Sequence, residues 1–373
     1  MDFAFSEEQD LLRASTRRFL ERGQPMSVLR SRLEEPETFD PTEWRQAAAL
    51  GWTSMLIPPE YDGGNVTGQP IVDAIVLGEE LGRSLHPGPF VPTNVVADAV
   101  ATWGSESQRR QFLAPMARGD SVAAWCLSED GSVDPGSCGV HASGDGGSTV
   151  LNGVARFVHG AAMADELLVS ALSGGELIHF LVPSSGSGVR IRAQKSLDLT
   201  RRFAEISFDG VPVEGSRRLE ADPGAVLARG INLATVLQAS EAVGAADRVF
   251  AETVAYLKDR AQFGRTIASF QAIKHRVANL LVTLEAMRAA AHYAALALSD
   301  GFEDADAAVS TAGSYVGEQF IFLCGESLQL HGGIGFTWEH DVHLFLRRAM
   351  TSKELYGDPT WHRERLCALA EVA

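Results

Sequence analysis

A chain of 373 residues with 45% apolar content can bury a large core and is long enough for two or three structural units. Its formal net charge of -16 argues against a nucleic-acid partner, because neutralising a phosphate backbone needs a basic surface. A locally basic pocket for a small anion remains compatible with that balance.

The opening residues "MDFAFSEEQDLLRASTRRF" are acidic early and lack a basic stretch followed by an apolar one, so they do not read as a secretory signal. No run approaches the roughly 18 apolar residues of a membrane span. Cys126, Cys138, Cys324 and Cys367 are too scattered for a disulfide framework or a zinc site, and a reducing cytoplasm is the expected compartment. From residue 6 to about 117, apolar residues recur at helical spacing in "EEQDLLRASTRRFLERG", "PTEWRQAAALG", "IVDAIVLGEELGRSL", "VVADAVATWG" and "SQRRQFLAPMARG". Ser6 and Ser105 stand where N-caps are expected. The first third is predicted to be helical.

Between about 118 and 222 the texture changes to short β-rich runs, among them "STVLNGVARFV", "ELLVSAL", "LIHFLVP" and "FAEISFDGVPV", separated by Gly, Ser, Asp and Pro. An antiparallel β domain is expected there. Within it, "DLTRR" places Arg201 and Arg202 before a strand; the pair reads as solvated surface charge, with contact to an anionic ligand as the other reading.

From about 223 helical patterns return at 225–259, 268–299, 304–330 and 341–355, with lengths and connections that suggest an antiparallel bundle. Two interruptions stand out. In "DRAQFGRTIASFQ", Arg260 and a following helix N-terminus can hold an anion while Phe263 offers a flat face to a purine, although an ordinary helix connection fits the same residues. In "SLQLHGGIGFTWEHD", Gly332, Gly333 and Gly335 allow backbone N–H groups to approach a phosphate without an intervening Cβ, and Gln329 stands beside them; a helix C-cap and tight turn is the alternative. His331, His340 and His343 have no carboxylate or Cys at ligand spacing, so no metal site is expected, and no GxSxG appears.

Taken together these two stretches make the sequence resemble the acyl-CoA dehydrogenase family of flavoproteins. The likeness extends through "FSEEQDLLR", "LGWTSMLIPPEYDGG", "EELGR", "SESQRRQFLAPMARGD" and "SLDLTRRFAEISFDGVPV". It implies an α+β fold with a helical domain over 1–117, a small antiparallel β-barrel over 118–222 and a four-helix bundle over 223–373, with FAD lying between subunits. It further implies that Arg260, Phe263, Gln271, Gln329, Gly332 and Gly333 reach the adenosine diphosphate portion of a neighbouring subunit's FAD. The family's flavin-ring contacts fall on Ser128 and on Phe157 and His159, the last two replacing the usual Trp and Ser/Thr.

Such enzymes oxidise an acyl-CoA thioester at Cα–Cβ, with a carboxylate taking the α-proton and the flavin the β-hydride. The family's usual Tyr-Glu-Gly matches Tyr356, Gly357 and Asp358 here, so that glutamate is missing. Some relatives carry the base on the first long helix of the bundle instead. Leu233, Leu237, Glu241, Ala245 and Val249 form one stripe of that helix, with no Lys or Arg three or four residues from Glu241. A lone desolvated carboxylate is a strong base, so Glu241 is the expected catalytic group and Asp358 the reserve.

The reading is an FAD-dependent acyl-CoA dehydrogenase that passes electrons to an electron-transfer flavoprotein or similar acceptor. Loss of the glutamate at 357 should open space beside the flavin, and "LYGDPTWHRERL" resembles relatives from actinobacterial sterol side-chain breakdown. A bulky, branched or ring-bearing acyl group is therefore expected, in a homotetramer or an α2β2 heterotetramer. Two alternatives accompany it: a supporting subunit without its own base, and an acyl-CoA oxidase.

Overall fold

The computed structural model describes residues 5–33, 39–144 and 148–371, so the first four residues of the stretch read against a secretory signal lie outside the described residues. The first third is helical: α1 (Glu7–Gly23), α2 (Met26–Ser31), α3 (Pro41–Ala48), α4 (Pro70–Arg83), α5 (Phe90–Trp103) and α6 (Glu106–Ala117). Ser6 and Ser105 each cap a helix in reciprocal boxes with Gln9 and Gln108, which satisfies backbone donors that would otherwise lack partners. The six-residue α2 is too short to show a periodicity.

The middle third holds β1 (Ala123–Cys126), β2 (Val140–Gly144), β3 (Ser148–His159), β4 (Glu166–Ser173), β5 (Glu176–Pro183), β6 (Val189–Gln194) and β7 (Phe203–Glu214). They form one seven-stranded sheet in the order β1-β4-β2-β3-β7-β6, with β5 also pairing β4. This corrects the expected antiparallel barrel. β1 runs parallel to β4, and β2 meets β4 in a parallel bridge at His141 and Leu172, so the sheet is mixed and does not close among the described residues. Alternating residues set which face of a strand is buried but not the direction of its neighbour; the long excursion from β1 to β4 permits the parallel pairing. β6 remains an edge, protected by the exposed Arg190 and Arg192.

The last third contains α7 (Pro223–Asp259), a tiny hairpin of β8 (Ala261–Gln262) and β9 (Arg265–Thr266), α8 (Gln271–Asp300), α9 (Ala305–His331), α10 (Val342–Ser352) and α11 (Pro359–Leu369). The expected helix over 341–355 stops at Ser352, and α11 was not foreseen. Asp358 caps α11 by accepting the Trp361 N–H, with Pro359 at its first position. No helix among the described residues is long and apolar enough to cross a membrane.

α7 is the central strut, buried on several sides against α4, α5, α8 and α9. Glycines let it approach α4 closely. A Cβ at Gly82 would lie 1.8 Å from the Glu241 carbonyl oxygen, and one at Gly244 would lie 1.8 Å from that of Glu79. Glu241 therefore sits at a close contact between α4 and α7.

Buried histidines give stability a pH dependence. Burial, with Arg348 nearby, holds His86 down to about 3, and burial, with Arg365 nearby, holds His362 down to about 4. Below the ordinary imidazole value of 6.5 the unfolded chain takes up protons that the folded chain refuses. Thermal unfolding from pH 7.5 to 4.5 should thus show a Tm that is flat above 6.5 and falls below it; a Tm that rises on acidification would contradict this.

Candidate active site

A cavity of about 580 Å³ opens between the sheet and the connection from α10 to α11. Its apolar walls come from Phe157, Phe203, Leu197, Met350, Leu355 and Trp361, and its polar rim includes Gln194, Lys195, Ser132 and Asp358. Few polar groups set in apolar, aromatic walls is the composition of a site for a flat organic ligand.

The wall on the sheet side is shaped by a bulge. The pairing of β3 with β7 shifts register between Ala155 and Val158, leaving Arg156 and Phe157 off the ladder. Phe157 takes a left-handed backbone (φ 56), and its freed N–H donates to Gln194 Oε1 at 2.8 Å. Ser128 does not line the cavity. It is buried and its Oγ accepts the Gly131 N–H at 3.1 Å, fixing the turn whose residues 130–133 do line it. His159 lies buried behind Phe203, ring centroids 5.5 Å apart, with Nε2 unpartnered. Burial, reinforced by Arg201 and Arg348, holds it well below the usual imidazole range, so it is neutral.

The opposite wall is the turn from Ser352 to Asp358. Tyr356 (φ 59) and Gly357 (φ 101) are both left-handed, which is costly for a tyrosine. A Cβ at Gly357 would lie 2.6 Å from the Trp361 ring. The space expected from the missing glutamate is therefore filled by Trp361, whose indole N–H donates to Asp134 at 3.2 Å. Asp358 lines the cavity while capping α11.

Glu241 is not on the cavity lining. It is 5% exposed, as the apolar stripe predicts, but it is not a lone acid: the Arg201 guanidinium pairs with its carboxylate. Arg201, expected on the surface, is 2% exposed. Counting residues three and four away on a helix cannot detect a cation arriving from a loop 40 positions earlier. Arg202 is half-buried and donates to the carbonyl of Leu199 at 2.7 Å.

The remaining predicted residues gather elsewhere, at one end of the bundle. α8 and α9 run antiparallel, so Gln271 and Gln329 lie at the same end, and Tyr256, one turn before Arg260, stacks on His331 with ring centroids 4.7 Å apart. Phe263 is 92% exposed at the tip of the hairpin, and Arg260, Gln271, Gln329 and Gly333 are exposed as well. A Cβ at Gly264, Gly332 or Gly333 would meet nothing within 4 Å. Their open surroundings, with positive φ at Gly264 and Gly332, suit a backbone that another molecule approaches. None of these residues lines the 580 Å³ cavity.

Comparison with known proteins identifies the family. The acyl-CoA dehydrogenase N-terminal domain family matches residues 6–120 and the C-terminal domain family residues 224–368. Acyl-CoA dehydrogenase IpdE2 of Mycolicibacterium smegmatis is 30% identical over 362 residues, spanning 97% of this chain and 98% of its own. IpdE2 of Mycobacterium tuberculosis is 31% identical, spanning 95% and 94%. Among solved structures, butyryl-CoA dehydrogenase from Megasphaera elsdenii superposes with a TM-score of 0.91 at 22% identity over the whole of both chains. The steroid acyl-CoA dehydrogenase Tcur3481-Tcur3483 does so at 0.87, with 28% identity over 98% of each. With both terminal domains matched and full-length relatives at 30% identity, the chain belongs to the acyl-CoA dehydrogenase family of FAD-dependent oxidoreductases.

Proposed function

We propose that this chain removes two hydrogens from Cα–Cβ of an acyl-CoA thioester with FAD in the 580 Å³ cavity, and that the acyl group is bulky, branched or ring-bearing, as in a steroid side chain. The observation that carries the reading is the cavity itself: aromatic faces from Phe157, Phe203 and Trp361 in apolar walls, with carboxylates of Asp130, Glu354 and Asp358 on the rim. When bound, FAD supplies the hydride acceptor. Phe157 and Trp361 supply apolar faces at the cavity. Asp130, Glu354 and Asp358 all line the cavity; Asp358 belongs to the stretch that matches the family's usual Tyr-Glu-Gly, and in this reading it takes the α-proton. Glu241 is unsuited to that step, because it is off the cavity lining and its carboxylate is engaged by the Arg201 guanidinium. The substrate class rests on the steroid acyl-CoA dehydrogenase relative, since Trp361 fills the space beside Gly357. The test is anaerobic flavin reduction by straight-chain and ring-bearing CoA thioesters: a higher kcat/KM for the ring-bearing substrates supports the class, and a preference for straight chains refutes it.

At the bundle end, Arg260, Gln271, Gln329, Gly332 and Gly333 would hold the adenosine diphosphate portion of FAD bound to a neighbouring chain, with Phe263 against the adenine. A phenylalanine exposed to 92%, whose ring meets Phe270 edge-on with centroids 6.3 Å apart, contributes little to the isolated chain. Phe263→Asp should therefore change unfolding stability by no more than about 0.5 kcal/mol while lowering flavin retention through gel filtration. Full retention would remove Phe263 from the cofactor site. An electron-transfer flavoprotein or similar acceptor, and a homotetramer or α2β2 assembly, complete the reading.

A second reading is favoured by the Glu241–Arg201 pair and by glycine at 357, which leave neither of the family's two base positions with an unpaired glutamate on the cavity lining. The chain is then a supporting subunit whose base comes from a different partner chain. Purified alone it would be colourless, whereas the first reading expects yellow protein.

A further inference from the structure

We infer that Arg201 is a positioning residue: its buried guanidinium, bridging Glu241 and Gln238 of α7 to Ser352, holds the left-handed turn that forms the cavity wall. The inference rests on the reading of that cavity as the redox site. Arg201 Nη2 pairs with Glu241, while Nη1 donates to Ser352 Oγ at 3.0 Å and to Gln238 Oε1 at 3.4 Å. Gln238 in turn donates from Nε2 to the carbonyls of Ser352 at 2.7 Å and Leu355 at 3.3 Å, and Thr235 Oγ1 donates to the Tyr356 carbonyl at 3.4 Å. The contacts to Ser352, Leu355 and Tyr356 tie α7 and Arg201 to the segment 352–356, directly before Gly357 and Asp358.

That segment needs holding. Two successive left-handed residues, one of them a tyrosine, persist only where the surroundings over-determine them. Arginine suits the task because its planar fork reaches acceptors in two directions at once, which a lysine ammonium does not do in a fixed plane.

A second buried pair aims the arginine inward. Arg348 donates to Asp198 at 2.6 Å, to Thr200 Oγ1 at 2.6 Å and to the carbonyls of Leu85 and His86 at 3.3 Å. The loop 198–200 is thereby pinned to α10 and the end of α4, and the next residue projects between α7 and α10. A buried ion pair is poor evidence of stabilisation, since well-packed apolar replacements are often neutral. Here the pair serves geometry, through the three additional acceptors that Arg348 reaches.

The test compares wild-type protein with Arg201→Lys and with the double variant Arg201→Met, Glu241→Leu, which removes both charges together. The inference predicts that both fold with Tm close to wild type, but that amide exchange at 353–358 quickens by about tenfold or more while α8 is unchanged. The amides of Lys353, Glu354 and Leu355 donate to Ala349, Thr351 and Ser352, so loosening is directly readable. In flavin-loaded protein the visible band should shift, and KM for the CoA thioester should rise as kcat falls. Wild-type exchange and an unshifted flavin band in Arg201→Lys would reduce the pair to a structural contact and overturn the inference. If the double variant fails to fold, the lysine variant alone decides, because it keeps the charge beside Glu241. Failure of the functional reading looks different: wild-type protein that no CoA thioester reduces, with the exchange comparison still standing.

Discussion

Asp358→Asn should leave the protein folded and yellow yet slow the reduction of its flavin by acyl-CoA by about a hundredfold or more, the usual loss when a general base is removed. The substitution isolates chemistry from structure. Asn is as good an N-cap as Asp, so the bond from the Trp361 N–H that starts α11 is retained, and the amide fills the same space on the rim. What disappears is the capacity to accept a proton. Glu241→Gln should behave in the opposite way, because the amide oxygen can still accept from Arg201 and the residue does not line the cavity. Its flavin should still bleach, while the unpaired Arg201 charge lowers stability by about 3–5 kcal/mol, as breaking a buried pair does. Stopped-flow absorbance of the two variants checks both statements, and the reverse pattern would return the role of base to Glu241.

Gly82→Val should yield little folded protein. The added Cβ would lie 1.8 Å from the Glu241 carbonyl oxygen and 2.6 Å from its carbon, both backbone atoms of a helix packed on several sides. No rotamer change relieves a clash with backbone, so α4 and α7 must separate. Overpacking costs typically about 1–3 kcal/mol, and this contact belongs at the upper end or beyond. Separation would also move Glu241 and the arginine beside it. Gly325→Ala is the control, since nothing stands within 4 Å of its added Cβ and it lies inside α9. There the change should stabilise by about 0.5–1 kcal/mol, the ordinary gain from glycine to alanine in a helix. Urea midpoints of both variants against wild type decide.

Much of the architecture is legible in the residues because periodicity and capping are local. The N-caps Ser6 and Ser105 and the long helices of the bundle follow from patterns spanning a few turns. Strand direction is not local, so β1 and β4 could not be recognised as parallel from alternation alone. The candidate site divides in the same way. Glu241 was found by the apolar stripe around it, but its counter-ion arrives from a loop 40 residues away, and no helical spacing reports on such a partner. Trp361 was missed although Asp358 and Pro359 announce the helix that carries it. Its placement against Gly357 depends on two left-handed residues in succession, a conformation for which glycine is a signal and tyrosine is not.

The most direct measurement is a visible spectrum of the purified full-length chain, followed by anaerobic addition of a CoA thioester. A yellow protein whose flavin absorbance bleaches is the predicted result, with the aromatic-walled cavity occupied by an electron acceptor within reach of the thioester's Cα and Cβ. A yellow protein inert to every acyl-CoA offered, straight-chain or ring-bearing, would contradict it.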